Sequence, residues 1–216
     1  MVDLAKDERA LLVVANLTTY GDPRFQWLYQ WLDGNAIQVA KLLLEPNYRL
    51  IDTLTGPEAT KANFVDRIVN LAQNAQTKAL DVFIHLHGLP GELFFVEGPV
   101  KSVDLGAEIK SASLLPLRLL YSTACYGASH APDFIKAGFR VASGSMATNA
   151  NGPYDYPAQL LTWRKGETYR QAVKAGNHPV FLLTHDAIAR AFGFDDVNSE
   201  KVIEGKKLTR ITSGPD

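Results

Sequence analysis

The sequence predicts a three-layer α/β domain with a mainly parallel central sheet and helices on both faces. Three observations lead there. Short, unbroken apolar runs recur along the chain, as strands buried on both faces require. Longer stretches with helical apolar spacing separate those runs, which is the order of a βαβ chain. Gly, Pro, Asn and Asp clusters stop the runs where turns are needed. The length of 216 residues, 46% hydrophobic and 21% charged, fits one domain spanning residues 1–216. A chain of this size buries roughly 70% of its unfolded surface and needs no disulfide or metal staple.

The elements follow in order. Ala10 to Ala15 reads as a buried strand that ends before Tyr20-Gly21-Asp22-Pro23. Phe25 to Leu44 has helical spacing, with Asp33-Gly34-Asn35 expected to break it in two. Tyr48 to Leu54 alternates like a short strand. Thr60 to Gln76 is the clearest helix, since Phe64, Ile68, Leu71, Ala72 and Ala75 share one face. Asp81 to Leu86 is a second buried strand, stopped by His87-Gly88. Leu93 to Val96 suits a hairpin arm and Asp104 to Ala112 a helix. Leu117 to Ser122 is a third strand, stopped by Ala124-Cys125-Tyr126-Gly127, with Arg118 unexpected unless it lies at the strand's start. Ala131 to Ala137 is a short helix and Arg140 to Ser143 a fourth strand. Helices follow at Tyr156 to Trp163, Thr168 to Ala175 and His178 to Ala191. Val202 to Ile203 and Leu208 to Ile211 are terminal strand candidates.

Composition excludes several functions. The net charge is −1 and no basic run exceeds two residues, so the electrostatic footprint of a nucleic-acid binder is missing. No apolar run approaches the ~20 residues that span a bilayer. One cysteine leaves no disulfide framework and no multi-cysteine zinc site. The charged start of the chain and its free thiol suggest a cytoplasmic setting. There is no G-x-G-x-x-G or G-x-x-x-x-G-K-[ST] run, and no G-x-S-x-G after the His87-Gly88-Leu89-Pro90-Gly91 segment. No cofactor is expected. A three-histidine metal site from His85, His87 and His130 is the weaker alternative for those rings.

The chemistry gathers at two strand ends. His87 and Cys125 each follow an apolar strand and lie 125 − 87 = 38 residues apart, enough for one crossover helix between parallel neighbours. Both then emerge at the carboxyl edge, where such sheets place functional groups. A thiol becomes a useful nucleophile beside a base, and histidine is the usual supplier. Gly88 lets its N–H approach a substrate carbonyl, and with the Cys125 N–H it suits an oxyanion hole. His130, five residues after Cys125, is a rival base. The blander reading of each residue is a buried small hydrophobe for Cys125 and structural rings for the histidines.

The runs Val82-Phe83-Ile84-His85-Leu86-His87-Gly88 and Leu119-Leu120-Tyr121-Ser122-Thr123-Ala124-Cys125-Tyr126-Gly127 resemble the caspase-like cysteine peptidases, the group of caspases, metacaspases, legumain, clostripain, gingipains and separase. The stretch Val141 to Ala175 and the segment Ser199 to Gly205 look like bacterial members. The resemblance implies the caspase-hemoglobinase fold and peptide-bond hydrolysis through a thioester. It assigns the acid/base to His87, the nucleophile to Cys125 and the oxyanion donors to Gly88 and Cys125. Two departures concern activation and subgroup: no long cleavable linker is evident, and no acid directly precedes the cysteine.

The resemblance also implies a pocket for the residue before the cut. It draws on the loop after the first strand, here Asp22 and Arg24, and on the segment after the strand following the cysteine, here Ser143, Ser145, Asn149 and Asp155. Asp133 is a further candidate. Acids outnumber bases there, so a basic preference is expected, whereas Arg24 in the pocket would favour Asp. The partners expected are a protein or peptide substrate and an activating protein. The runner-up is a catalytically silent module that binds or regulates protein partners. A transpeptidase would use the same dyad.

Overall fold

Buried strands must satisfy their backbone groups on both edges, and here the apolar runs do so by pairing with one another. The computed structural model describes residues 3–114 and 116–214. In chain order the strands are β1 (Arg9–Asn16), β2 (Leu50–Thr55), β3 (Ala79–Leu86), β4 (Gly88–Leu89), β5 (Glu92–Phe95), β6 (Gly98–Lys101), β7 (Leu117–Ser122), β8 (Val141–Ser145) and β9 (Lys201–Gly205). The helices are α1 (Gln26–Leu44), α2 (Lys61–Gln73), α3 (Ser102–Ser111), α4 (Gly127–Ala137), α5 (Gly152–Trp163), α6 (Tyr169–Gly176) and α7 (Pro179–Ala191). The main sheet has the order β2-β1-β3-β7-β8-β9. It is parallel throughout except at β9, which runs antiparallel to β8. Strands β4, β5 and β6 make a small antiparallel sheet of their own.

Alternate residues of each strand point to opposite faces, so the core divides in two. On one face Leu12, Val14, Val82 and Ile84 pack with Phe64 and Ile68 of α2, Leu105 and Ile109 of α3 and Phe134 of α4. On the other, Leu11, Val13, Phe83 and Tyr121 pack with Ala36, Ala40 and Leu44 of α1, Leu160 and Trp163 of α5 and Ala172 of α6. This is the layered, mainly parallel α/β class that the sequence predicts.

Two local expectations fail. No break occurs at Asp33-Gly34-Asn35: α1 is continuous. The Asp33 carboxylate accepts from the Leu17 N–H (2.9 and 3.0 Å), so it tethers the loop after β1 instead of turning the helix. The roughly 1 kcal/mol helix cost of Gly34 is outweighed by burial of Ala36, Ala40 and Leu44. Leu208 to Ile211 is no strand but turns, and its use is as an acceptor, because the Ile211 carbonyl receives Arg118 and Arg9. Arg118 is the second residue of β7 and is buried. It forms a two-point pair with Asp81 of β3 (2.8 Å each), and Asp81 also accepts from the Tyr48 hydroxyl. That partner explains a charge inside an otherwise apolar strand.

Candidate active site

The chain turns back on the sheet between β1 and β3, because β2 lies outside β1 while β3 lies on its other side. Such a switch point leaves a crevice at the carboxyl edge. Here a cavity of about 650 Å³ opens there, lined among others by Leu17 after β1, His87 after β3 and Cys125 after β7. The register explains why the last two meet. Ile84 of β3 pairs with Ser122 of β7, and three further residues on each strand reach His87 and Cys125.

Cys125 sits in a tight strand-to-helix turn. Tyr126 takes a left-handed conformation (φ 56°), a position that costs energy for a residue with a side chain. Behind the turn, α4 starts backbone against backbone on β8: a Cβ on Gly144 would lie 2.2 Å from the Gly127 carbonyl carbon. Gly88 is equally constrained, since a Cβ there would lie 2.5 Å from the Cys125 carbonyl oxygen. Asn149 grips the same turn. Its side chain donates to the Thr123 carbonyl (2.8 Å) and its backbone N–H to the Cys125 Sγ (3.4 Å).

The His87 ring is held by its Nε2–H, which donates to the Leu17 carbonyl (2.7 Å), and by the edge of Tyr29 at 5.1 Å. Nδ1 is then the nitrogen left to act as a base. Among the described residues no hydrogen bond joins this ring to the thiol. Burial lowers the His87 pKa, partly offset by the Leu17 bond. Burial raises that of Cys125, partly offset by the Asn149 N–H. Both shifts favour the uncharged forms, thiol and imidazole. Asp33, which tethers Leu17, is pushed up to about 6 by its own burial.

The other histidines go elsewhere. His85 lines the cavity floor with Nδ1 on the Thr123 hydroxyl (3.0 Å), and burial takes its pKa to about 3. The His130 Nε2–H donates to the Leu89 carbonyl (2.8 Å), and His130 is absent from the cavity wall. His185 of α7 lines the cavity with Nδ1 on Asn151 Oδ1 (2.7 Å). Among the described residues no group of three or more His, Cys, Asp or Glu side chains gathers as metal ligands would.

Of the expected specificity residues, Arg24 and Asn149 line the cavity, and Asp22, Asp133, Ser143, Ser145 and Asp155 do not. Ser143 is buried in β8 against the Tyr169 hydroxyl (2.5 Å). Asp155 lies in α5, not in a loop, and is sealed in the core by Tyr121 (2.8 Å) and Lys201 (2.6 Å). Neither reaches the cavity. The sequence could not separate a loop acid from one that waits for a lysine 46 residues further on. Asp22 caps the short helical turn Pro23–Phe25 and pairs with Arg24 (2.6 Å), and of the two only Arg24 reaches the cavity rim. Trp27 and Trp31 of α1 are 69% and 50% exposed, at the cavity mouth.

No family model matches the chain, and no curated protein does. Among solved structures it is similar to a secreted C11 cysteine protease from Bacteroides thetaiotaomicron, "iotapain", with a TM-score of 0.45 and 14% identity. The similarity covers 65% of this chain and 53% of that one, so the chain spans about half the length of the structure it matches. Among the described residues no helix is long and apolar enough to cross a membrane.

Proposed function

We propose that the chain is a cysteine peptidase of the caspase-like kind, with Cys125 as nucleophile and His87 as general base and acid. The observation that carries this reading is the level emergence of His87 and Cys125 from adjacent parallel strands into one cavity. As Sγ attacks a peptide carbonyl carbon, Nδ1 of His87 takes the thiol proton. The oxygen gains charge beside the Gly88 and Cys125 backbones. The C–N bond then breaks, the amine leaves with the proton from His87, and a thioester remains. Water attacks the thioester, gives its proton to His87 and releases the acid, and the thiol recovers that proton. No metal or organic cofactor enters these steps. Protein or peptide chains are the substrates, and a cytoplasmic setting belongs to this reading.

The test compares wild type with Cys125→Ala on fluorogenic peptides varied at the residue before the cut. Cleavage present in wild type and lost in the variant supports the reading. The alternative, a silent module that binds a protein partner, draws on the shifts of both groups toward their uncharged forms. It gains if neither protein cleaves any peptide and a thiol-reactive peptide probe leaves Cys125 unlabelled.

A further inference from the structure

The wall of the cavity carries its own chemical message. Among the described residues no Asp or Glu lines it. Its one guanidinium, Arg24, is already engaged by both oxygens of Asp22 (Nε at 3.1 and 3.0 Å, Nη2 at 2.6 Å). Its three imidazoles each have one nitrogen committed, to Thr123, Leu17 and Asn151. The rest is mostly hydrocarbon and aromatic surface contributed by α1 and by α7 with the segment after it, including Leu28, Trp31, Ile188 and Phe192. A cationic or anionic head entering this space would leave water without meeting a free counter-charge, which is costly. A large apolar side chain gains about 1.5–3 kcal/mol on full burial, a factor of roughly 10 to 150. At about 650 Å³ the cavity lies within the usual range for ligand sites of roughly 300–1,000 Å³, so it takes more than one such group.

Resting on the peptidase reading, we infer that the site selects peptide segments with bulky apolar residues, Phe or Leu class, directly before the cleaved bond, and not basic or acidic ones. The cavity is continuous with Cys125 and His87, so a side chain seated in it sits next to the carbonyl presented to the thiol. This replaces the basic preference expected from Asp22, Asp133 and Asp155, none of which lines the cavity.

The experiment has two arms. The first measures kcat/KM on peptides identical except for Phe, Leu, Arg or Asp before the cut. The expected result is at least a tenfold preference for Phe or Leu over Arg and Asp. The second measures calorimetric binding of the Phe and Arg peptides to Cys125→Ala, where no turnover occurs. The Phe peptide should bind at least tenfold more tightly. Ile188 is 49% exposed, so Ile188→Asp can be made without burying a charge in the core, and it should narrow the Phe-to-Arg ratio at least tenfold in either arm. Cleavage preferring Arg or Asp overturns the inference and leaves the peptidase reading standing. Phe-selective binding without any cleavage keeps the apolar selectivity of the cavity and overturns the peptidase reading, and with it the placement before a cleaved bond. Neither cleavage nor Phe-selective binding overturns both.

Discussion

Strands β3 and β7 carry polar groups at both of their ends, and the two ends are opposite in character. At the starting end, Asp81 and Arg118 pair at two points, Tyr48 donates to Asp81, and Trp163 Nε1 donates to the Tyr48 hydroxyl (3.0 Å). None of the buried side-chain nitrogens and oxygens of these four residues lacks a partner, and the cluster is closed to water. At the finishing end, His87 has one ring nitrogen engaged, Cys125 receives one backbone N–H, and a cavity opens beside them. A saturated buried cluster fixes a fold, whereas an under-saturated one beside a cavity has capacity left for a substrate. The two ends lie about 20 Å apart, six residues at roughly 3.3 Å each, so they can be perturbed separately.

That separation sets the order of expected effects. At the open end, Cys125→Ala should lower peptide cleavage at least a thousandfold, about 4 kcal/mol in the barrier. It should cost about 1 kcal/mol or less in stability, since one long hydrogen bond is lost. At the closed end, Arg118→Ala should do the reverse. It strands Asp81 in the core and costs about 3–5 kcal/mol of stability, a drop in Tm on the order of 10 °C. Cleavage per folded molecule below the transition should be unchanged. A calorimetric scan and an active-site titration on both variants would break the comparison if the effects crossed over.

Smaller effects should come from the tether that links α1 to His87. Asp33→Ala frees the Leu17 N–H and with it the carbonyl that holds His87, so kcat should fall about tenfold with little change in KM, in line with losing one charge-assisted bond. Asp33→Asn keeps an acceptor and should retain most of the rate. The pH dependence separates positioning from simple damage. The folded pKa of Asp33 is about 6, above the 3.8 of a free carboxyl. Its proton therefore favours folding below pH 3.8, and that contribution is lost as pH rises through 6. Asp33→Asn should thus hold or raise Tm at pH 7. A protonated Asp33 keeps a carbonyl acceptor for the Leu17 N–H as Asn does, so wild type and Asp33→Asn should show the same acid limb across pH 6. Least dramatic is the thiol itself. Because burial lifts Cys125 above its free value of 9.0, iodoacetamide labelling of the free enzyme should rise about tenfold per pH unit from 7 to 9. A plateau across that range would mean a preformed thiolate–imidazolium pair.

Much of this was legible in the sequence, for a physical reason. Runs such as Leu11 to Val14 and Val82 to Ile84 are buried on both faces, so nothing but apolar residues is allowed there and the strands announce themselves. His87 and Cys125 stand out because reactive residues end such runs. What failed depended on partners far along the chain. Asp33 looked like a helix breaker because its acceptor role lies with Leu17, 16 residues earlier. Asp155 looked available because Lys201 was invisible to local reading. The cavity wall joins α1 to α7 across some 160 residues, and helical periodicity marks an apolar face without saying whether it meets a core or a substrate.

The unbroken α1 has a consequence of its own. Its first half presents Trp27 and Trp31 to the cavity and solvent, while its second half buries Ala36, Ala40 and Leu44 under the sheet. One helix thus joins an exposed stretch at the cavity mouth to a buried stretch under the sheet. Amide hydrogen exchange along it is expected to be faster near Trp27 than near Leu44. Anything that settles in the cavity lengthens the slow end at the expense of the fast one, so occupancy is written along a single helix.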